Sequence, residues 1–539
     1  MSKMLRSAVG FLILTLGFSG SALAATNADI AALSRARVVQ FTGTERISQP
    51  FVFDLDVTVP HPALNFANIV GQPLKITVAK GRTVAGIIEH IEQSGVTGRQ
   101  GQYHVRLVPA LNRLAYRITS RTFAEIHAVD IVNIVLEEAG ISGLESRIGA
   151  TPNLQEISVQ YQESEFAYFS RLLEHEGIHY HFEPSGSGVK TVLGDSNNAF
   201  PVLSPGQLVF AAKKGSSITA FSRGFSLHSG RIQAGDFNWR APQVNLTATA
   251  QSPFFRDLVE GVFPAPAETL QDSQKYSALR LGARVTEGQS CGGTSTYTQI
   301  QAGYRFSLAG HPRSDFNREY VITGVEHRFT PKGYQNTFTC LPANIAFRPS
   351  PVTPQPKIAG VLPGLVVGPQ GAIKHVDEFG RVRVRFPWRN PVFSNNQEGD
   401  TGWVRVAQIA TGIGNTALWL PEVGDEVAMA FEYGDPHRPV IIGSLYNASS
   451  PPPVPLPANK TQTLFRSTSH PGGAIPLELF MEAQAGQEEL TLRVGNQFLR
   501  LNPNGITASS AINTPGSALQ KLQPPTGLKS PTRQQAPRR

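Results

Sequence analysis

The residues with the clearest claim to chemistry lie between positions 161 and 182, in the run YQESEFAYFSRLLEHEGIHYHF. Within it, His175-Glu176-Gly177-Ile178-His179 matches H-E-x-x-H, the pattern in which two histidines one helical turn apart hold zinc and the glutamate acts as general base. His181 follows as a third candidate ligand, so one reading is a secreted zinc hydrolase using His175, His179 and His181 with Glu176 as base. The same residues also read as an element boundary. Ser164 is a natural N-cap, and Phe166, Phe169, Leu172 and Leu173 recur at helical spacing. Gly177 stands where a helix stops, and Ile178, Tyr180 and Phe182 alternate with His179 and His181 as in a half-buried strand. A helix ending at Gly177 puts His179 on the next element, where it cannot converge with His175 on one metal. The boundary reading is the one adopted, so no catalytic, cofactor or metal residue is assigned.

Other catalytic patterns are missing from the sequence. There is no G-x-S-x-G, no P-loop and no G-x-G-x-x-G. Gly224-Phe-Ser-Leu-His228 begins like a serine elbow but lacks the closing glycine, and reads as a strand.

The elements around these residues are mainly β. Charged residues make up only 16% of the 539, while glycine (50) and proline (40) are abundant, a balance that favours short strands joined by turns over long helices. Met1–Ala24 has the build of a secretory leader: Lys3 and Arg6, the apolar stretch from Ala8 to Phe18, and small residues at Ala22, Ala24 and Ala25 for cleavage after Ala24. An upstream extension around a misplaced start, or a buried strand, are the alternatives. Residues 27–348 form a long β-rich region. In it, the segments at 38–41 and 51–57 are expected to pair around a turn-rich 42–50, and 128–140 is expected to form a helix with a glycine stop.

Residues 349–357 (PSPVTPQPK) read as a stiff linker. Residues 358–447 read as one small barrel, in which Arg381, Arg383 and Arg385 alternate with apolar residues. Those arginines would either face an oligonucleotide or polysaccharide, as in many OB-folds, or line the solvated or subunit-facing side of a strand, the reading preferred. A second proline-rich linker covers 448–457. Residues 458–513 hold short β strips at 478–481, 489–494 and 498–501, too few to bury a core alone, and 514–539 is a basic, disordered tail.

The formal charge of +8 is concentrated at the ends. Setting aside Lys3 and Arg6 of the leader and the five basic residues Lys521, Lys529, Arg533, Arg538 and Arg539 leaves a body near +1. A near-neutral body argues against specific nucleic-acid binding. Cys291 and Cys340 lack C-x-x-C spacing. In an exported chain they would form a disulfide, and in a chain kept reduced they would be buried thiols.

Three segments together resemble the VgrG family, the spike of type VI secretion systems, and its relatives in contractile phage tails. They are the run from Tyr161 to Ile178; the barrel with DEFGRVRVRFPW at 377–388, PEVGDEV at 421–427 and GDPHRPVIIGSLYN at 434–447; and LPANKT at 456–461 with SHPGG at 469–473. The resemblance covers most of 35–506. It implies a multidomain hub of β-barrels with short helices, then an OB-fold barrel, then a short trimeric β-prism or β-helix needle. It further implies a non-enzymatic homotrimer that meets a hexameric Hcp-like inner tube, carries effectors or adaptors, transiently crosses a target membrane, and leaves the cytoplasm by contraction. In that family positions 175 and 176 are normally acidic, with no zinc role. The needle here is brief, no further folded domain is expected after it, and a secretory leader is unexpected for a family that assembles in the cytoplasm. A prism ending near Phe498, Leu499, Leu501 and Ile506 would expose its last apolar ring, the expected seat of a capping PAAR-repeat protein.

Overall fold

A computed structural model describes residues 14–15, 28–77, 82–186, 188–210, 218–388, 400–470 and 473–509. The cleavage-site residues Ala22, Ala24 and Ala25 and the basic tail lie outside these described residues. The fold is mainly β, and the chain divides into two compact units. Of the described residues, the first unit comprises those within 1–359, 388–402 and 431–438, and the second those within 360–387, 403–430 and 439–509.

The first unit is built on one long antiparallel sheet. Its strands run in the order Pro73–Thr77, Thr83–Thr97, Gln100–Val108, Gln49–Val59, Arg37–Arg46, Glu319–Thr330, Gly333–Pro342, Gln289–Ser295 and Ile218–Phe225, with Leu14–Thr15 added beside the first. Arg37–Arg46 and Gln49–Val59 pair as expected, but the turn is far tighter than 42–50. Residues 42–46 continue the strand because Phe41, Gly43 and Glu45 alternate inward, and the chain reverses at Ile47-Ser48, where Ser48 takes φ 59°. Gly43 is needed there: a Cβ would sit 2.3 Å from the Phe53 ring that packs across it.

Among the described residues four α-helices accompany this sheet: α1 (Ala28–Leu33), α2 (Ala128–Glu138), α3 (Glu165–Glu176) and α4 (Leu270–Glu287). The stripe Ala128, Ile131, Val132, Val135 and Leu136 of α2 is buried in one core cluster with Phe169, Leu172 and Leu173 of α3 and with Phe53, Leu55, Val105 and Leu107 of the sheet. Sequence periodicity missed α4, whose buried positions are the small residues Ser273, Ser277 and Ala283 rather than an apolar stripe. Its one legible signal was a capping box: Thr269 Oγ1 accepts from the Asp272 backbone N–H while the Asp272 carboxylate accepts from that of Thr269. The proline-rich 349–357 is not a free spacer. The Thr353 N–H and hydroxyl both donate to Glu174 of α3, at 2.9 and 2.7 Å, holding the stretch along the first unit.

In the second unit, Leu362–Val367, Val382–Arg385, Asp400–Val406, Pro439–Leu445 and Glu426–Phe431 close into a barrel in that order. Val366, Val382, Val384, Val404, Val427, Met429 and Ile441 fill its interior. After it comes a five-stranded antiparallel meander: Gln462–Thr468, Pro476–Glu482, Glu489–Val494, Gln497–Asn502 and Gly505–Ser509. The three strips read in the sequence are its inner strands.

Candidate functional site

The Tyr161–Ile178 run is a packing device. Ser164 Oγ accepts from the Ala167 N–H and starts α3. Glu163 pairs with Arg171 through two N–H donors, and the Arg171 guanidinium lies 4.7 Å over the Tyr168 ring. Glu165 is wholly buried, accepts from Arg117 Nε at 2.5 Å and sits 3.6 Å from Arg121. The Tyr168 hydroxyl meets Ser158 at 2.9 Å. The GDPHRP turn of 434–439 contributes to the same unit: His437 Nδ1 donates to the Ile157 carbonyl (3.0 Å), and its Nε2 accepts from Arg171 (3.1 Å). Beside it, Arg438 grips the buried Asp236 carboxylate, with one contact at 2.9 Å.

The helix ends at Gly177 in the left-handed conformation (φ 68°, ψ 22°), with Gly177 N–H donating to Glu174 O and Ile178 N–H to Leu173 O. This double bond pattern is a Schellman stop. A Cβ on Gly177 would also lie 2.4 Å from Leu279 of α4. The stop puts His179 at the start of the strand His179–Ser185, on a different element from His175. His175 is exposed, with its ring 6.0 Å from that of Tyr276, while Glu176 is bound to Lys275 at 2.8 Å. Among the described residues no three His, Cys, Asp or Glu are grouped to hold a metal ion. The zinc constellation therefore does not assemble.

The strand after Gly177 is not half-buried. Tyr180 and Phe182 pack into the main core, and His179 and His181 are buried too, on a second apolar layer. His179 stacks on Phe200 at 4.3 Å and hydrogen-bonds the Ser196 carbonyl at 3.3 Å. His181 Nε2 is 3.0 Å from Glu183, which Arg147 and Lys190 also hold. Both faces are covered, so simple alternation did not report burial.

Two predictions follow from this segment. His175→Ala should change stability by no more than about 0.5 kcal/mol and leave the purified protein's metal content unaltered. Stoichiometric zinc lost on His179→Ala would reverse that reading. Burial, reinforced by His181, holds the His179 imidazole at a pKa of about 3, against 6.5 for a free histidine. Folded His179 therefore stays neutral while the unfolded chain takes up a proton below pH 6.5. Its contribution is complete above that pH and declines as pH falls towards 3, by about 1.4 kcal/mol per unit at most. Denaturation midpoints measured between pH 7 and pH 4 should fall accordingly, and less steeply in His179→Gln.

The barrel arginines are engaged. Arg381 is buried against Asp377 (2.7 Å), and the Arg383 guanidinium lies 5.1 Å over the Trp403 ring. Val382 and Val384 point inward, which leaves Arg383 and Arg385 on the outer side of their strand. Gly224 and Phe225 end a strand, and Ser226 bonds through its backbone to Gly288, so no nucleophile elbow forms. Cys291 and Cys340 are buried free thiols on adjacent strands.

The C-terminal meander has two unlike faces. Its register lines up Phe465, Leu479, Leu492, Leu499 and Ala508 in one row, and Thr463, Met481, Leu490, Leu501 and Ile506 in a row two residues away, on the same face. Leu477 and Val494 extend that apolar face. The opposite face carries Arg466–Glu478–Arg493 and Arg500–Glu489 ion pairs. Phe465, Leu477, Leu492, Val494, Leu499 and Ile506 all remain exposed. Phe498 is separated from the other three tip candidates: it lies in the charged row, under the Arg500 guanidinium at 5.1 Å. Strand alternation sends it to the other face from Leu499 and Leu501.

Residues 44–333 match the family model described as phage tail baseplate hub (GPD), more than half of the chain. The chain belongs to the phage tail baseplate hub family. Residues 363–446 match the type VI secretion system/phage-baseplate injector OB domain, the span of the closed barrel. Among curated relatives of this hub protein, the Pseudomonas aeruginosa spike protein VgrG4b is 30% identical over 485 residues, covering 84% of this chain and 60% of the relative. VgrG1c of the same organism is 31% identical over 482 residues, covering 83% and 65%. The actin cross-linking toxin VgrG1 of Vibrio cholerae is 30% identical over 436 residues, covering 77% and 39%. The chain thus spans 60% of the length of VgrG4b and 65% of that of VgrG1c. In fold, it is similar to an E. coli type VI secretion component described as resembling the T4 tail proteins gp27 and gp5 (TM-score 0.59, 21% identity, covering 76% and 96%). It is also similar to a chain of the PdpA-VgrG complex in its lidless form (TM-score 0.60, 9% identity, covering 88% and 93%).

Proposed function

We propose that this chain is the hub and spike of a contractile injection apparatus of the type VI secretion class, working as a homotrimer with no catalytic chemistry of its own. The observation that carries the reading is the C-terminal sheet: among the described residues its apolar face stays exposed at Phe465, Leu477, Leu492, Val494, Leu499 and Ile506, while its other face carries the ion pairs beside Leu464, Phe480 and Phe498. Three copies turned inward about one axis would bury that face and expose the charged one, a closed arrangement that also shields apolar surface from water. The hub of three chains would meet a hexameric Hcp-like tube, and effector or adaptor proteins would ride on the spike through the target membrane. This fits the relatives, which include type VI secretion system spike proteins and an actin cross-linking toxin. The protein would be cytoplasmic before firing and extracellular after it, or periplasmic if Met1–Ala24 acts as a secretory leader. No feature of the arginine strand or of the 175–181 segment favours the nucleic-acid or hydrolase alternatives.

The far end of the meander is the proposed seat of a conical PAAR-repeat cap. Gly505–Ser509 is the last strand in the sheet order, and Leu501 and Ile506 face each other beside that edge. Light scattering on the full-length chain should give the mass of a trimer, and a stable monomer would overturn the reading. A chain ending at residue 515 should still capture a PAAR-repeat protein, whereas Leu501→Asp with Ile506→Asp should not. Loss of capture on removing 516–539 alone would move the docking site to the tail.

A further inference from the structure

Cys291 and Cys340 occupy directly opposed positions in the antiparallel pair of Gln289–Ser295 with Gly333–Pro342. Directly opposed residues project to the same side of a sheet with Cβ atoms about 4.5–5.5 Å apart, within a small adjustment of the span a disulfide bridges. The register therefore sets the two thiols on the same side of the sheet, facing one another across the strand pair. Both are buried in one apolar cluster with Phe306, Tyr320, Ile322 and Phe338. On the other side of Cys291, the directly opposed residue is Arg223 of Ile218–Phe225. We infer that Cys291 and Cys340 are a redox-responsive pair that closes into a cross-strand disulfide, stapling the middle of the hub sheet when the chain meets an oxidising environment.

The pair is asymmetric in a way that orders the chemistry. The hydrogen bond from Cys340 and the nearby Arg223 charge favour the Cys291 thiolate, while burial pushes the Cys340 thiol well up. Cys291 is the entry nucleophile. With a small-molecule disulfide such as oxidised glutathione as oxidant, the Cys291 thiolate attacks one sulfur, forms a mixed disulfide and expels one glutathione thiolate. Cys340 then loses its proton and attacks the Cys291 sulfur, forming the protein disulfide and expelling the second glutathione thiolate. Two protein thiols are oxidised and one small disulfide is reduced to two thiols, which balances the electrons and protons.

The inference rests on the cross-strand geometry and is independent of the spike reading, so either can fail alone. The test uses the full chain equilibrated in reduced and oxidised glutathione, and also refolded from denaturant in each, so that burial cannot hide the thiols. Remaining thiols are then alkylated under denaturing conditions and counted by mass. In oxidised glutathione the chain should carry no alkylatable thiol, weigh two hydrogens less, and release a linked peptide containing 291 and 340. Its thermal midpoint should rise by several degrees over the reduced form. Cys291→Ala and Cys340→Ala should each lose this redox-dependent shift while remaining folded. Arg223→Gln should slow modification of Cys291 several-fold. Two free thiols after oxidative refolding, or disulfides only between chains, would overturn the inference.

Discussion

Phe169→Ala is expected to destabilise the first unit by about 3–5 kcal/mol, the cost of a large aromatic ring lost from a close-packed site. The ring has no exposed surface, packs edge-on against Tyr180 at 5.3 Å and stacks on Phe166 at 6.3 Å. It stands where α3 meets both α2 and the strand after Gly177, so few neighbours can move in to fill the void. Chemical denaturation of the full-length variant should show the transition of this unit at a much lower denaturant concentration. A shift equivalent to less than about 1 kcal/mol would mean that α3 packs less tightly than described. The contrast with His175→Ala, six residues along the same helix, separates the buried face from the exposed one.

Leu479→Asp combined with Leu492→Asp is expected to dissociate the proposed trimer while the hub unit stays folded. The two residues are directly opposed at the centre of the exposed apolar face. Burying a leucine side chain contributes about 1.5–3 kcal/mol, and the double change removes six from a trimer, on the order of 10 kcal/mol in total before any charge repulsion. Light scattering should show a monomer, with the hub unit's denaturation transition unchanged. Removal of 456–539 should act in the same direction. A double variant that still runs as a trimer would place the assembly contacts outside the C-terminal sheet.

Much of the architecture was legible because its signals are local. The left-handed stop at Gly177, the N-cap at Ser164, the helix over 128–138 and the barrel strands each depend on a few adjacent residues, so pattern and structure agree. Where residues read as a turn proved to be strand, as at 42–46, the deciding contact was the Phe53 ring against Gly43, a long-range fit with no local trace. Helix α4 escaped notice because small residues sit at its buried positions and carry almost no hydrophobic period.

The candidate sites divide in the same way. The sequence by itself determined that His175 and His179 fall on different elements, because a helix stop is written in one glycine, and it determined that the last strips are too few to bury a core alone. Only the tertiary structure decided that His179 and His181 are buried, since a second apolar layer from Phe200 covers what alternation would leave wet. It separated Phe498 from Leu499 and Leu501, because the face of a strand residue follows from register with its neighbours. It also set Cys291 opposite Cys340 across two strands distant in sequence. Register and layering are properties of pairs of segments, and a single chain of letters records them only once the partner is known.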